Sequence, residues 1–390
     1  MIGTEHVLSG SPPTAYFFGA QGNRHVVYQA EDSKKVLGEV VHQENGVFYE
    51  LYAGANDDWG VTDLTHQQDD EPFAADQAGG YAFDAEGSQR VVWAPELAGK
   101  PVYELWWNDG WDYNNLSVKS GGAPPAGTSP FGWQATTTST QHVVYADTDQ
   151  HVILLSRDLN GDWQHFLDLS ETRGAPLSAS APTACEFLAD GTQHINYVGV
   201  DGAIWDLSSA GAGAWIPTNL SVAATVPVQV PPQRLVGFSF EAEGSFHVPF
   251  ASVDFNVHQV RMQNGACSYQ NLTAGAFPKI TGGSAPLGYA FPAHDPEDPR
   301  ATAHIVYIGV TTQIQELWSY DGINWTPQTL TSSIDPTLQP AIAPLAALID
   351  PTRVTQNIYY LSKAGHIVEL RWTVSHRFDR GLFEIEPLEP

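Results

Sequence analysis

Basic residues are scarce in this chain. Lys and Arg total 17 against 44 Asp and Glu, for a net charge of −27. So acidic a surface repels a phosphate backbone, which argues against nucleic acid as a partner, and it disfavours anionic membranes for the same reason. Cysteine is confined to Cys185 and Cys267. Two cysteines cannot build a disulfide framework or a paired-cysteine metal site, so both are expected to be core thiols. No stretch approaches the ~20 apolar residues of a membrane helix. Met1–Gly10 lacks the basic start and apolar run of a secretory signal. The expectation is a soluble protein made in the cytoplasm, with export by another route left open.

Turn formers and aromatics are plentiful instead. The chain has 35 Gly and 27 Pro beside 12 Trp and 15 Tyr, and is 42% hydrophobic. That composition excludes a disordered chain and favours short strands with frequent turns over long helices.

One four-residue pattern recurs seven times: His25-Val-Val-Tyr28, Arg90-Val-Val-Trp93, His142-Val-Val-Tyr145, His194-Ile-Asn-Tyr197, His247-Val-Pro-Phe250, His304-Ile-Val-Tyr307 and Asn357-Ile-Tyr-Tyr360. Successive copies begin 65, 52, 52, 53, 57 and 53 residues apart. An aromatic-rich stretch precedes each well-formed copy, as in Tyr16-Phe17-Phe18 and Tyr81-Ala-Phe83. A second motif follows, as in Tyr49-Glu50-Leu51, Tyr103-Glu104-Leu105-Trp106, Gln315-Glu316-Leu317-Trp318 and Val368-Glu369-Leu370. A Trp and then Leu-Thr or Leu-Ser close the unit, as in Trp111 with Leu116-Ser117 and Trp215 with Leu220-Ser221. A unit of about 50 residues with four short strands is a propeller blade, which cannot bury both sheet faces alone and must stack on its neighbours.

The predicted fold is therefore all-β, one domain forming a seven-bladed β-propeller of four-stranded antiparallel blades. The approximate blades are 11–72, 78–124, 130–176, 182–227, 233–278, 286–340 and 344–390. Blade 5 is degenerate: it lacks the closing Trp, and His258-Gln259-Val260 replaces the Glu-Leu motif. Blade 1 carries an insertion, Glu31–Val47, expected to be a hairpin. At the ring closure, Phe383-Glu-Ile suggests that the C-terminus supplies its own outer strand, while Met1–Gly10 could instead pair beside it.

The run His-Val-Val-Tyr, Glu-Leu-Trp-Trp, Gly-Trp, Asn-Leu-Ser and Gly-Ala-Pro resembles the Photorhabdus-type seven-bladed propeller lectins, best in blades 2 and 6. The resemblance extends over essentially the whole chain. It implies non-catalytic, multivalent binding of fucose and related or O-methylated glycans between adjacent blades, with no cofactor or metal. A wider resemblance to the six-bladed fucose lectins implies a pocket recipe. A basic residue on the second strand and a Glu on the third come from one blade, and aromatics come from the next. Carried over, the blade 1/2 pocket would hold His25 and Glu50 with Trp107 and Trp111. The 2/3 pocket would hold Arg90 and Glu104 with Arg157 and Trp163. The 6/7 pocket would hold His304 and Glu316 with Trp372 and Phe378. The 7/1 pocket would hold Glu369 and Trp59, with Asn357 in the basic slot. Blades 3 to 5 lack the Glu, having Leu154, Asp206 and Gln259 near that place. Two to four working pockets are expected, in a chain that leaves homo-oligomer formation open.

Elementary chemistry supports the recipe. The apolar face of a pyranose stacks on an aromatic ring, and its hydroxyl rim needs a carboxylate and a cationic partner held in place. The competing reading makes the anchors strand-start residues that bond neighbouring turns, and the Trp residues wedges between blades. Asn115-Leu-Ser, Asn219-Leu-Ser and Asn271-Leu-Thr match the glycosylation pattern but occupy one repeat slot, so the repeat accounts for them. No Gly-x-Ser-x-Gly elbow, His-Glu-x-x-His or phosphate loop is present. A propeller glycoside hydrolase or lyase would need converging carboxylates. That reading, and a protein-binding scaffold using the blade 1 insertion, are the alternatives.

Overall fold

The computed structural model describes residues 13–388 apart from 31–32, 37–38, 43–46, 55–57, 65–77, 96–99, 160, 189, 212–213, 276, 282–283, 293–299, 332–340, 342–344, 364–366 and 374–383. Seven four-stranded antiparallel sheets follow one another, spanning 14–63, 78–115, 131–168, 183–219, 238–271, 287–329 and 346–388. The first strands of successive sheets lie side by side all the way round. That of the seventh, Ala346–Asp350, lies against Thr14–Phe18 of the first. This is a seven-bladed β-propeller. At the closure, Glu384–Leu388 pairs antiparallel with Ile367–Thr373, Leu388 opposite Ile367. The C-terminal segment thus forms the outer strand of blade 7; Met1–Gly10 lies outside the described residues. Within the insertion, Ser33–Val36 and Glu39–His42 pair as a separate two-stranded sheet. Among the described residues, no helix is long and apolar enough to cross a membrane.

There is no single central core. Seven apolar clusters each draw on two adjacent blades, as when Tyr16, Phe18 and Val27 of blade 1 meet Val91, Trp93 and Leu105 of blade 2. Alternation along each strand sends successive side chains to opposite faces, so every blade feeds two clusters. Close approach sets the glycines of the first strands. A Cβ on Gly80 would lie 2.6 Å from Tyr16 Cε1, and one on Gly132 would lie 2.0 Å from Tyr81 Cε1. The aromatic of one blade is thereby seated on the bare backbone of the next. Cys185 and Cys267 are free thiols bordering the cluster between blades 4 and 5.

The closing motifs have structural work. Leu116, Leu169, Leu220 and Leu330 are fully buried. The following hydroxyls of Ser117, Ser170 and Ser221 accept the N–H of Val102, Val152 and Ile204, where each third strand begins. Asn115 and Asn219 cap short helical turns by accepting from Val118 N and Val222 N. The Tyr that ends the anchor motif ties down the link between blades: Tyr145 donates to Pro124 O at 2.8 Å, Tyr197 to Pro176 O at 3.0 Å, and Tyr307 to Pro278 O at 2.9 Å. Burial raises the pKa of each of these phenols. Tyr145→Phe should therefore lower stability by about 1 kcal/mol, read from urea unfolding. An unchanged midpoint would show that the Pro124 carbonyl finds water instead.

Candidate functional site

The anchors sit on the second strands, and strand register fixes what surrounds them. On the first strand, Tyr16, Tyr81, Trp133, Cys185, Phe238, Tyr289 and Leu348 lie opposite the seven anchors in order. Opposite on the third strand are Tyr52, Trp106, Ser156, Ser208, Arg261, Trp318 and Arg371. Two residues beyond each anchor comes the acid slot, occupied by Glu50, Glu104, Leu154, Asp206, Gln259, Glu316 and Glu369.

The four glutamates are buried, none more than 3% exposed, and each is held by neighbours. Tyr16 donates to Glu50 Oε1 at 2.7 Å, and Tyr359 to Glu369 Oε1 at 2.7 Å. Arg90 Nη1 lies 3.2 Å from Glu104 Oε2, and Asn114 donates to the same oxygen at 3.0 Å. His304 Nδ1 is 2.9 Å from Glu316 Oε1, and Gln328 donates to Oε2 at 2.7 Å. Burial foremost, and then the adjoining carboxylate, raise the phenols of Tyr16, Tyr81, Tyr289 and Tyr359 far above the usual range, so each stays a donor.

A further partner, not read from the sequence, reaches in from the next blade. The residue just before that blade's anchor closes the node. Gln89 accepts from Tyr16 at 3.2 Å. Gln141 donates to both Tyr81 and Glu104. Gln356 accepts from Tyr289 at 3.1 Å. At the 7/1 junction this place holds Arg24, paired with Glu369 Oε1 at 2.5 Å and donating to Asn357 at 3.1 Å. A polar residue preceding five of the anchors would have been a weak signal; its target lies across a blade boundary.

The nodes differ in what they leave open. His25 is stacked on Tyr16, centroids 5.0 Å apart, with Tyr52 on its other side at 6.2 Å. Its Nδ1 is 3.1 Å from Glu50 Oε1, yet neither ring nitrogen completes a hydrogen bond. In blades 3, 5 and 6 the hydroxyls of Thr140, Ser245 and Thr302 meet Nε2 of His142, His247 and His304 at 2.7–2.8 Å. Blade 1 has Asn23 at the equivalent place, and its side chain donates to Gln21. Trp107 and Trp111 are half-buried and pack on the blade 1/2 cluster, Trp107 edge-on to Phe18 at 6.4 Å. The 6/7 junction repeats this: Trp372 meets Phe291 edge-on at 5.3 Å. Phe378 lies outside the described residues.

At the other two expected pockets the arginines are already paired. Arg157 is paired with Glu86 at 2.7 Å and donates to Gln141 at 3.2 Å, while Trp163 is buried. Burial pushes Glu86 up, but Arg157 and Arg90 outweigh it and hold the carboxyl below its usual range. Trp59 lies under the Arg24 guanidinium at 5.2 Å and edge-on to Tyr359. Among the described residues no group of three His, Cys, Asp or Glu could hold a metal ion.

No family model matches the sequence, and no curated protein does. Among solved structures the fold is similar to the lectin BP39L from Burkholderia pseudomallei, at 14% identity over 98% of this chain and 99% of that one, with a TM-score of 0.65. It is also similar to AofleA from Arthrobotrys oligospora, at 13% identity over 100% and 89%, with a TM-score of 0.55. A complex of Aleuria aurantia lectin with alpha-methyl-L-fucoside matches at 13% identity over 80% and 95%, with a TM-score of 0.50. At such identities the likeness is one of fold.

Proposed function

We propose that the chain is a non-catalytic, multivalent lectin that takes fucose-type or related O-methylated glycans at the blade 1/2 and 6/7 junctions. The observation that carries this reading is the blade 1/2 junction. There a buried His25 with unpartnered nitrogens sits against Glu50, beside the half-exposed Trp107 and Trp111. A sugar hydroxyl would satisfy the imidazole, and the apolar sugar face would stack on indole. The fold shared with solved lectins, one of them crystallised with a fucoside, supports the reading. Pockets at 2/3 and 7/1 are not proposed to work, because Arg157 and Arg24 already occupy their polar groups. Two weak sites on one body gain strength on clustered glycans through effective concentration. We also take the seven blades to form one cooperative domain, unfolding in a single transition.

The glycoside hydrolase alternative gains nothing from the inner strands. Among the described residues these carry two carboxylates, Glu186 and Asp350. Glu186 accepts from Thr136 N at 2.6 Å and Thr137 N at 3.0 Å. Asp350 accepts from Thr352 N and Arg353 N. Each holds a turn, and no free pair is left to act as acid and base.

A glycan array with methyl-fucoside competition, followed by titration calorimetry, tests the proposal. Trp111→Ala should weaken the blade 1/2 site by about 1–3 kcal/mol, by analogy with base stacking on aromatics, with circular dichroism unchanged. A blank array from well-folded protein would refute the lectin reading.

A further inference from the structure

The blade 5/6 junction departs from the glutamate-bearing nodes in several slots at once. Its acid slot holds the neutral Gln259. Opposite the anchor His247, the first strand carries Phe238, where blades 1, 2 and 6 have Tyr16, Tyr81 and Tyr289. Those tyrosines donate to a glutamate; where the glutamate is missing, so is the hydroxyl. On the third strand the residue opposite the anchor is Arg261, where the same three blades have Tyr52, Trp106 and Trp318. A carboxylate has been lost from this junction and a cation gained.

The inner polar groups of the node are satisfied from within. His247 meets Ser245 at 2.8 Å and Gln259 at 2.9 Å. Gln259 Nε2 donates to Gln270 at 2.9 Å and, at 3.0 Å, to Gly322 O in a turn of blade 6. A Cβ on Gly322 would lie 2.6 Å from His247 Cε1, so that turn is seated on the imidazole. The Arg261 guanidinium, by contrast, makes no hydrogen bond or ion pair with the described residues, and its Nε is buried without a partner. The side chain as a whole is half-buried, and its two terminal amines reach solvent.

Blade 7 shows how such a cation is otherwise answered. Arg371 stands in the same slot and is paired with Glu369 of the acid slot at 2.6 Å. Arg24, Arg90 and Arg157 likewise meet a carboxylate within 3.2 Å. Asp321, the acid of the blade 6 turn, is taken up by Ser319, Asn324 and the N–H of Ile323. Arg261 is thus left free in a chain with 44 acidic residues, close enough to His247 to oppose its protonation. Trp325 of blade 6 stands edge-on to the same imidazole at 6.5 Å. It is half-buried and holds the closing-Trp slot that Trp111 holds in blade 2.

We propose that the blade 5/6 junction binds a saccharide bearing one carboxylate, a terminal uronic acid, with the carboxylate on Arg261 and the sugar ring against Trp325. The inference rests on reading the blade junctions as sugar sites and adds an acidic ligand class to the neutral one. A guanidinium fork matches a carboxylate through two parallel hydrogen bonds, and the apolar face of a pyranose stacks on indole. The net charge of −27 repels polyanions, which favours a ligand with a single acid group over a sulfated polymer.

Titration calorimetry with methyl β-D-glucuronide, compared with methyl β-D-glucoside, tests it. The glucuronide should bind at least about tenfold more tightly than the glucoside, the difference expected for hydrogen bonds to a charged group. Arg261→Gln should weaken glucuronide binding by a similar factor and leave methyl-fucoside binding by the same protein as in the wild type. Gln259→Glu sets the blade 7 pairing beside Arg261 and should also weaken the glucuronide, with circular dichroism unchanged. Glucuronide binding that survives Arg261→Gln would overturn the proposal. So would fucoside binding without glucuronide binding, which would leave the lectin reading standing. Binding of neither by well-folded protein would overturn the proposal and the lectin reading together.

Discussion

Arg24→Gln should lower the unfolding free energy by about 3 kcal/mol, the low end of the range for removing one partner of a buried ion pair. Arg24 is fully buried. It lies 2.5 Å from Glu369 Oε1 and 3.9 Å from Asp350 Oδ2, joining the first blade to the last. Glutamine fits the place sterically, since Gln89, Gln141, Gln193 and Gln356 occupy it in four other blades. The substitution therefore removes charge without creating an overpacked site. The low end of the range applies because Arg371 still holds Glu369 Oε2 at 2.6 Å. Guanidinium chloride or urea unfolding reads the change directly. A loss below about 1 kcal/mol would mean that Arg371 alone compensates Glu369 and that the closure is apolar in its energetics.

Acid should destabilise the fold well before the carboxylates titrate. Burial pushes the pKa of His142 and His247 down to about 4. Their imidazoles face hydroxyls, an amide and rings: Thr140, Ser156 and Trp133 around His142, and Ser245, Gln259 and Phe238 around His247. Among the described residues no carboxylate is hydrogen-bonded to either, unlike His194 and His304, which meet Asp206 and Glu316. Arg261 opposes protonation of His247 further. In the unfolded chain both protonate near pH 6.5. Between pH 6.5 and about 4 the unfolded state therefore binds more protons, and stability falls as pH falls. Two such groups give a slope of at most about 3 kcal/mol per pH unit. Urea unfolding at a series of pH values should show the slope, and His142→Gln with His247→Gln should flatten it. An equal slope in the double variant would assign the acid sensitivity elsewhere.

Much of the architecture was legible in the spacing of seven anchor motifs, because each blade is a local unit whose strands follow one another in the chain. The same register placed Leu154, Asp206 and Gln259 in the acid slot where the sequence put them. The Leu-Ser pairs were visible as motifs, but their task of capping the start of the same blade's third strand was not. The candidate site was legible in composition and only partly in arrangement. His25 with Glu50, Arg90 with Glu104, and His304 with Glu316 do come together. The sequence could not show that Gln89, Gln141, Gln356 and Arg24 enter from the next blade. Nor could it show that Glu86, in a turn, reaches Arg157 71 residues away.

The sequence by itself determined the number of blades, the strand that carries each anchor, and the alternation that buries both faces of every sheet. These follow from local periodicity, which neighbouring residues impose on one another. Tertiary structure alone decided that Arg24 and Arg157 are paired with carboxylates at two blade junctions and that His25 at another is left without a hydrogen-bond partner. That outcome depends on the blades being wound side by side, which brings together side chains that no spacing along the chain relates.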